Sequence, residues 1–155
     1  MKKQIPIKDY IREVIQINRF AVLATAFDSQ PYASFIAVTA TEGYLKLIFA
    51  TYRNTRKYNN LITNGKVSIL FENRETNHPD NPQITVLTAI GQAEEMNIIN
   101  SNVELQSHLL RHPELESFLL SPDCALFQVK VNAYQVVGGI EDVKWWTIDE
   151  LNELC

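Results

Sequence analysis

Apolar positions along this chain follow two rhythms, one with the period of a helix and one with the period of a strand. Residues 7 to 18 carry Ile7, Ile11, Val14 and Ile15 at helical spacing with charges between them, which predicts an amphipathic helix within an N-terminal region 1–19. Phe20 to Ala26 is apolar and β-favouring, and Asp28-Ser29-Gln30-Pro31 is a turn signal. Tyr32 to Thr39 predicts a second strand, Glu42-Gly43 a turn, and Tyr44 to Ala50 a third strand. Three strands on short turns predict an antiparallel meander.

Asn54 is the expected N-cap of a helix whose apolar face holds Tyr58, Leu61 and Ile62, and Asn64-Gly65 supplies its C-terminus. Lys66 to Phe71 predicts a fourth strand, and residues 73 to 83 a polar loop with two prolines. Ile84 to Met96 predicts a fifth strand, in which Gly91 marks a bulge or a close backbone approach. Residues 97 to 111 read as helix, and Pro113 interrupts before a second helical piece to Leu120. Ala125, Phe127, Val129 and Val131 alternate with Leu126, Gln128, Lys130 and Asn132, then the apolar phase shifts to Tyr134 and Val136. A bulge near Asn132-Ala133 follows from that shift. Gly138-Gly139 closes the strand and leaves a tail, residues 139–155, that holds Trp145 and Trp146. Six strands or more, mostly hairpin-linked, predict a mainly β fold with peripheral helices: a closed or nearly closed antiparallel barrel.

Composition narrows the class. A chain of 155 residues, 46% apolar and 21% charged, reads as a single globular domain, 1–155. No apolar run is long enough for a signal peptide or a membrane span, so a cytoplasmic protein is the default expectation. Cys124 and Cys155 make neither a disulfide framework nor a metal cluster. Cys124, at the head of an apolar run, is expected to be buried, and Cys155 to be exposed.

Charge singles out one segment. The chain is acidic, with a formal net charge of −4, yet no acid lies between Glu42 and Glu72, where Lys46, Arg53, Arg56, Lys57 and Lys66 all fall. Three of these cations crowd the end of Phe49-Ala50-Thr51-Tyr52-Arg53-Asn54-Thr55-Arg56-Lys57, which reads as strand end, turn and helix opening. A helix N-terminus already carries partial positive charge, so cations there call for a nearby anion, and a phosphate suits the exposed amides. Thr51, Asn54 and Thr55 offer side-chain donors to the same anion. The alternative is a solvated helix end, since no glycine-rich cradle is present. A basic island on an acidic chain favours a small anion over nucleic acid. Glu104, His108 and His112 are spaced by four on the predicted helix, a face that holds either a metal or only solvent; a metal is not expected, because no further ligand is identifiable.

The chain resembles the pyridoxamine 5'-phosphate oxidase-like, FMN-binding split β-barrel family over about residues 7 to 138. The resemblance is carried by Phe20-Ala21-Val22-Leu23-Ala24-Thr25, Gln30-Pro31-Tyr32-Ala33-Ser34, Phe49-Ala50-Thr51 with Thr55-Arg56-Lys57, Val67-Ser68-Ile69-Leu70-Phe71 and Ile90-Gly91-Gln92-Ala93-Glu94. It implies a homodimer with FMN bound at each of two subunit interfaces. The flavin phosphate would be held by residues matching Thr55, Arg56 and Lys57. The isoalloxazine would lie against the strand matching Ser34, Phe35, Ile36, Ala37, Val38 and Thr39, with further contacts from Ala50 and Thr51.

Departures from the family pattern bear on substrate. True oxidases open the second-strand segment with an arginine and end it with a substrate-binding lysine; here those places hold Ser34 and Thr39. Val86 stands where many oxidases place a glutamine. The resemblance therefore implies an FMN-dependent oxidoreductase with an unknown small-molecule substrate, not a genuine pyridoxamine 5'-phosphate oxidase. No catalytic side chain is identified, which suits a reaction performed by the cofactor. A flavin-binding or storage module, and a haem- or deazaflavin-binding relative on the same barrel, are the alternatives. Trp145 and Trp146 are expected either to cover the flavin edge or a dimer interface, or to divide between barrel packing and solvent.

Overall fold

The structure, a computed structural model, describes residues 6–73, 77–78, 81–82, 85–98, 102–138 and 143–153. Helix α1 (Ile7–Ile17) buries Ile11, Val14 and Ile15, the face set by its apolar spacing. Its last turn contains no basic residue, and its open carbonyls are met from outside. The Arg111 guanidinium donates to the carbonyls of Ile15, Gln16 and Asn18 at 3.1, 3.0 and 3.2 Å, and to that of Val38 at 3.2 Å.

Strands β1 (Phe20–Phe27) and β2 (Gln30–Ala37) form a hairpin in which Phe27 faces Gln30 across a two-residue turn. Asp28 and Ser29 both have positive φ, 49° and 63°, the geometry that matches strand twist in such tight hairpins. The expected three-stranded meander is corrected at this point. The run Tyr32 to Thr39 breaks at Val38, which is fully buried and donates its N–H to the Arg19 carbonyl. Beyond the break, β3 (Thr39–Ala40) pairs with β4 (Lys46–Tyr52) instead of staying beside β1. A 3-10 turn at Glu42–Tyr44 joins the two. With β5 (Lys66–Asn73), β8 (Thr85–Met96) and β9 (Cys124–Gly138), the strand order is β2-β1-β5-β8-β9-β4-β3, so two consecutive strands stand at opposite ends of the sheet and the chain segment through Val38 ties those ends together. This is an antiparallel split barrel.

Helix α2 (Arg56–Thr63) leads to β5 (Lys66–Asn73). Within the predicted polar loop, β6 (Asn77–His78) and β7 (Asn81–Pro82) form a small ladder of their own. Strand β8 (Thr85–Met96) follows; Ile84, its expected first residue, lies outside the described residues. Helix α3 runs over Asn102–Arg111; residues 99–101, within its expected span, lie outside the described residues. Pro113 opens a 3-10 turn to Leu115, and α4 (Glu116–Leu119) completes the second helical piece.

Strand β9 (Cys124–Gly138) is the spine of the sheet, pairing with β4, β8 and β10. Gly91 and Asn132-Ala133 turn out to be two signals of one irregularity. Ile90 faces Ala133 but Gly91 faces Val131, so Asn132 is the extra residue of a bulge on β9. A Cβ on Gly91 would lie 2.1 Å from the Lys130 carbonyl oxygen, and only glycine admits that approach. The tail carries order the sequence reading did not give it. Strand β10 (Val143–Thr147) pairs with β9, and α5 (Ile148–Glu153) buries Leu151. Trp146 packs on the core while Trp145 is exposed, because neighbours on a strand face opposite sides. Leu23, Phe49, Ile69, Phe71, Leu87 and Phe127 fill the barrel, with Phe49 and Phe127 stacked at 5.4 Å across the β4–β9 pair. Cys124 is buried as expected, and burial pushes its thiol pKa up to about 11, which leaves it unreactive; Cys155 lies outside the described residues.

Candidate functional site

Strand β4 ends in Ala50-Thr51-Tyr52, and the next turn delivers the chain to the start of α2. The cap of that helix is Thr55, not Asn54. Its Oγ1 accepts the Tyr58 N–H at 3.1 Å and donates to the Tyr52 carbonyl at 2.8 Å. Thr51 Oγ1 lies 3.1 Å from Thr55 Oγ1, so two hydroxyls stand together at the helix mouth. The first backbone bond of the helix runs from the Asn59 N–H to the Thr55 carbonyl, so the amides of Arg56 and Lys57 precede the helix's own ladder.

The three expected cations separate. Arg53 turns away: it donates to the Pro122 and Cys124 carbonyls at 2.9 and 3.1 Å and pairs with Glu95 at 3.0 Å, clamping the strand ends. Arg56 lies over the Tyr32 ring, 5.5 Å from its centre, in a neighbouring hollow lined by Gln30, Asn54 and Asn59. Lys57 alone faces a cleft of about 370 Å³ beside β2 and β4. Among the described residues no carboxylate pairs with it, and partial burial lowers its ammonium pKa.

The lining of that cleft is mostly apolar with a few polar side chains. Lys57, Thr51, Thr55 and His108 are its polar lining; Phe20, Phe35, Ile36, Ala37, Ala50, Tyr52, Leu115 and Phe118 are the rest. Phe20 stacks on Phe35 at 5.6 Å, and Tyr52 meets Phe118 edge to face at 4.7 Å. Of the residues singled out from sequence, Phe35, Ile36, Ala37, Ala50, Thr51, Thr55 and Lys57 therefore share one cleft. Ser34, Val38, Thr39 and Arg56 stand outside its lining. The Ser34 hydroxyl is buried without a partner, Val38 is core, and Thr39 is buried against His108.

His108 is what sequence reasoning missed. The helix face carrying Glu104, His108 and His112, expected to hold solvent, instead buries both histidines fully. The legible signal is Leu105, His108, Leu109 and His112 at spacings of three and four, which makes the imidazoles part of the apolar face of α3. Among the described residues no group of three metal-ligating side chains forms. His112 Nε2 lies 3.0 Å from the Val38 carbonyl oxygen, an acceptor, so that nitrogen carries the proton. His108 Nδ1 lies 2.7 Å from Thr39 Oγ1, and the ring borders the cleft. Burial, then the neighbouring His112 and Arg111, lower the His108 pKa to about 3.

Stability should carry the mark of that buried neutral ring. The unfolded chain takes up the His108 proton near 6.5 and the folded protein only near 3, so stability holds above 6.5 and falls as pH drops through that window. The slope from this group reaches roughly 1.4 kcal/mol per pH unit. Denaturant unfolding across the window checks it, and His108→Gln should flatten the dependence.

A family model described as pyridoxamine 5'-phosphate oxidase matches residues 7–106. No curated protein matches the sequence significantly. Among solved structures, a heme binding protein from Mycobacterium smegmatis superposes with a TM-score of 0.82 at 17% identity, over 96% of this chain and 61% of its own. The chain thus spans under two thirds of that protein's length. A FAD-binding protein from Mesorhizobium loti superposes at 0.67 with 15% identity, over 81% of this chain and 89% of its own. General Stress Protein 26 from Bacillus anthracis superposes at 0.69 with 17% identity, over 92% and 98%. Likenesses at such identities establish the fold. No described helix is long and apolar enough to cross a membrane.

Proposed function

The chain belongs to the pyridoxamine 5'-phosphate oxidase family, and on that premise we propose that it binds FMN in the cleft between β2, β4 and α2 and acts as a cytoplasmic, homodimeric oxidoreductase on a small molecule. The observation that carries this reading is that a half-buried cation, unmatched by any described carboxylate, shares one cleft with a mostly apolar lining. A ligand that suits it has an anion at one end and a flat apolar ring at the other, which is the shape of FMN. Lys57, the amides of Arg56 and Lys57, and the Thr51 and Thr55 hydroxyls would hold the phosphate; Phe20, Phe35 and the β2 backbone would face the ring. Bound there, FMN supplies hydride acceptance and donation at its ring. The protein's own contribution is orientation, charge balance at the phosphate and exclusion of water.

The substrate is of a different class from pyridoxine phosphate. Thr39 stands where the oxidases place a substrate-binding lysine, and here it is buried and engaged by His108. Exclusion of water supports a dimer. Phe35 is 69% exposed, and with Phe20, Val22 and Leu70 it forms an apolar stripe across β2, β1 and β5. A second copy seated on that stripe would close the cleft from its open side.

The test is the absorption spectrum and sedimentation of the purified protein. A flavin spectrum on a dimer, bleached by NAD(P)H, supports the reading. Bound FMN that no nicotinamide donor or physiological acceptor turns over reduces it to a flavin-binding module. A Soret band on haem titration without FMN uptake, uptake of a deazaflavin in place of FMN, or a strict monomer contradicts it.

A further inference from the structure

His108 is fully buried, yet one of its ring nitrogens has no partner. Nδ1 is held by Thr39 Oγ1 at 2.7 Å; among the described residues Nε2 has no partner, and His108 is part of the cleft's lining. Counting donors assigns the proton. If Nδ1–H donated to Thr39, the buried Thr39 hydroxyl would lack an acceptor and Nε2 a donor. If the Thr39 hydroxyl donates to Nδ1, a single group is left open, an N–H on Nε2. Buried donors are bonded with few exceptions, so the second arrangement is favoured and its one exception points to a missing acceptor.

His112 serves as an internal comparison. Its open nitrogen, Nδ1, is an acceptor, because Nε2 donates to the Val38 carbonyl, and His112 does not border the cleft. An open lone pair costs less than an open N–H. Tyr10, Ser34 and Trp146 also carry buried polar atoms without a partner among the described residues, but of these residues only His108 is part of the lining of the cleft where a ligand is expected.

We propose that His108 is a ligand-recognition residue whose Nε2–H donates a hydrogen bond to a carbonyl oxygen on the edge of the FMN ring, with Thr39 as the positioning residue that fixes the tautomer. The proposal rests on the FMN reading above. His108 is fully buried, so the contact requires neighbouring side chains of the same lining to give way, and Leu115 and Phe118 are only half-buried there. It explains why Thr39 is spent on an imidazole: the hydroxyl turns a ring that otherwise exchanges tautomers into a fixed donor. A donor at a ring carbonyl also favours the reduced flavin, because reduction adds negative charge on that side of the ring.

The experiment uses the full chain with FMN as the probe. In protein carrying 15N-labelled histidine, the Nε2–H signal of His108 should move on FMN addition. His108→Met should weaken FMN binding about ten-fold and lower the midpoint potential, while His108→Gln, with an amide N–H, should restore most of both. Bound FMN with an unmoved His108 signal, or a Met variant with unchanged affinity and potential, overturns the proposal. If the Met variant does not fold, the signal in the parent protein decides alone. Parent protein that takes up no FMN overturns the cofactor reading and this contact with it; uptake without the His108 response overturns the contact only.

Discussion

Replacing Lys57 with alanine is expected to weaken FMN binding roughly 10- to 150-fold, the worth of one charged hydrogen bond at about 1.5–3 kcal/mol. Position sets this apart from its neighbours. Lys57 is the cation that faces the cleft, partly buried and unmatched by any described carboxylate. Arg53, three residues before Arg56, is committed to Glu95 and two carbonyls, so Arg53→Ala should damage the fold more than the affinity. Arg56 starts from its place over Tyr32 and must swing to reach a shared phosphate, so its loss should cost less than that of Lys57. The double replacement of Arg56 and Lys57 should cost the most. Fluorescence titration of the apoprotein with FMN measures all four, and added salt should weaken the parent more than the double variant. Parent-like affinity in the double variant would remove the phosphate from the start of α2.

Gly91→Ala is expected to cost roughly 4 kcal/mol or to prevent folding. Overpacking by one methyl usually costs less, because side chains give way. Here the obstacle is backbone: the new Cβ would lie 2.1 Å from the Lys130 carbonyl oxygen and 3.0 Å from a Val129 methyl. Relief requires β8 and β9 to part at the bulge, and β9 is the strand on which β4, β8 and β10 all depend. Denaturant unfolding of the variant, or its failure to accumulate as soluble protein, is the readout. A loss under about 1 kcal/mol would mean that the bulge relaxes freely.

Strands and the bulge were legible because they rest on local rules. The alternation around Phe127, the phase shift at Tyr134 and the glycine at 91 all report backbone geometry directly. The meander was misread because turn signals say where a chain reverses and not which neighbour it rejoins. Only the inward break at Val38 sends β3 to the far end of the sheet. The cleft was half legible. Thr51, Thr55 and Lys57 fall within one seven-residue stretch, whereas His108 and Phe118 arrive from α3 and α4, far along the chain. Arg56 and Lys57 look equivalent in sequence but serve different hollows, because successive helical residues are turned by about 100°, which only a placed helix reveals. His108 was hidden because a histidine on an amphipathic helix reads as surface until its partner, Thr39, is seen behind it.

The most direct test of the phosphate-and-ring assignment compares FMN with riboflavin, which keeps the ring and lacks the phosphate, by equilibrium titration of the same apoprotein. FMN should bind the parent at least ten-fold more tightly than riboflavin, and Lys57→Ala should close most of that gap while leaving riboflavin affinity nearly unchanged. Equal affinities for the two ligands in the parent, or no binding of either, would contradict it.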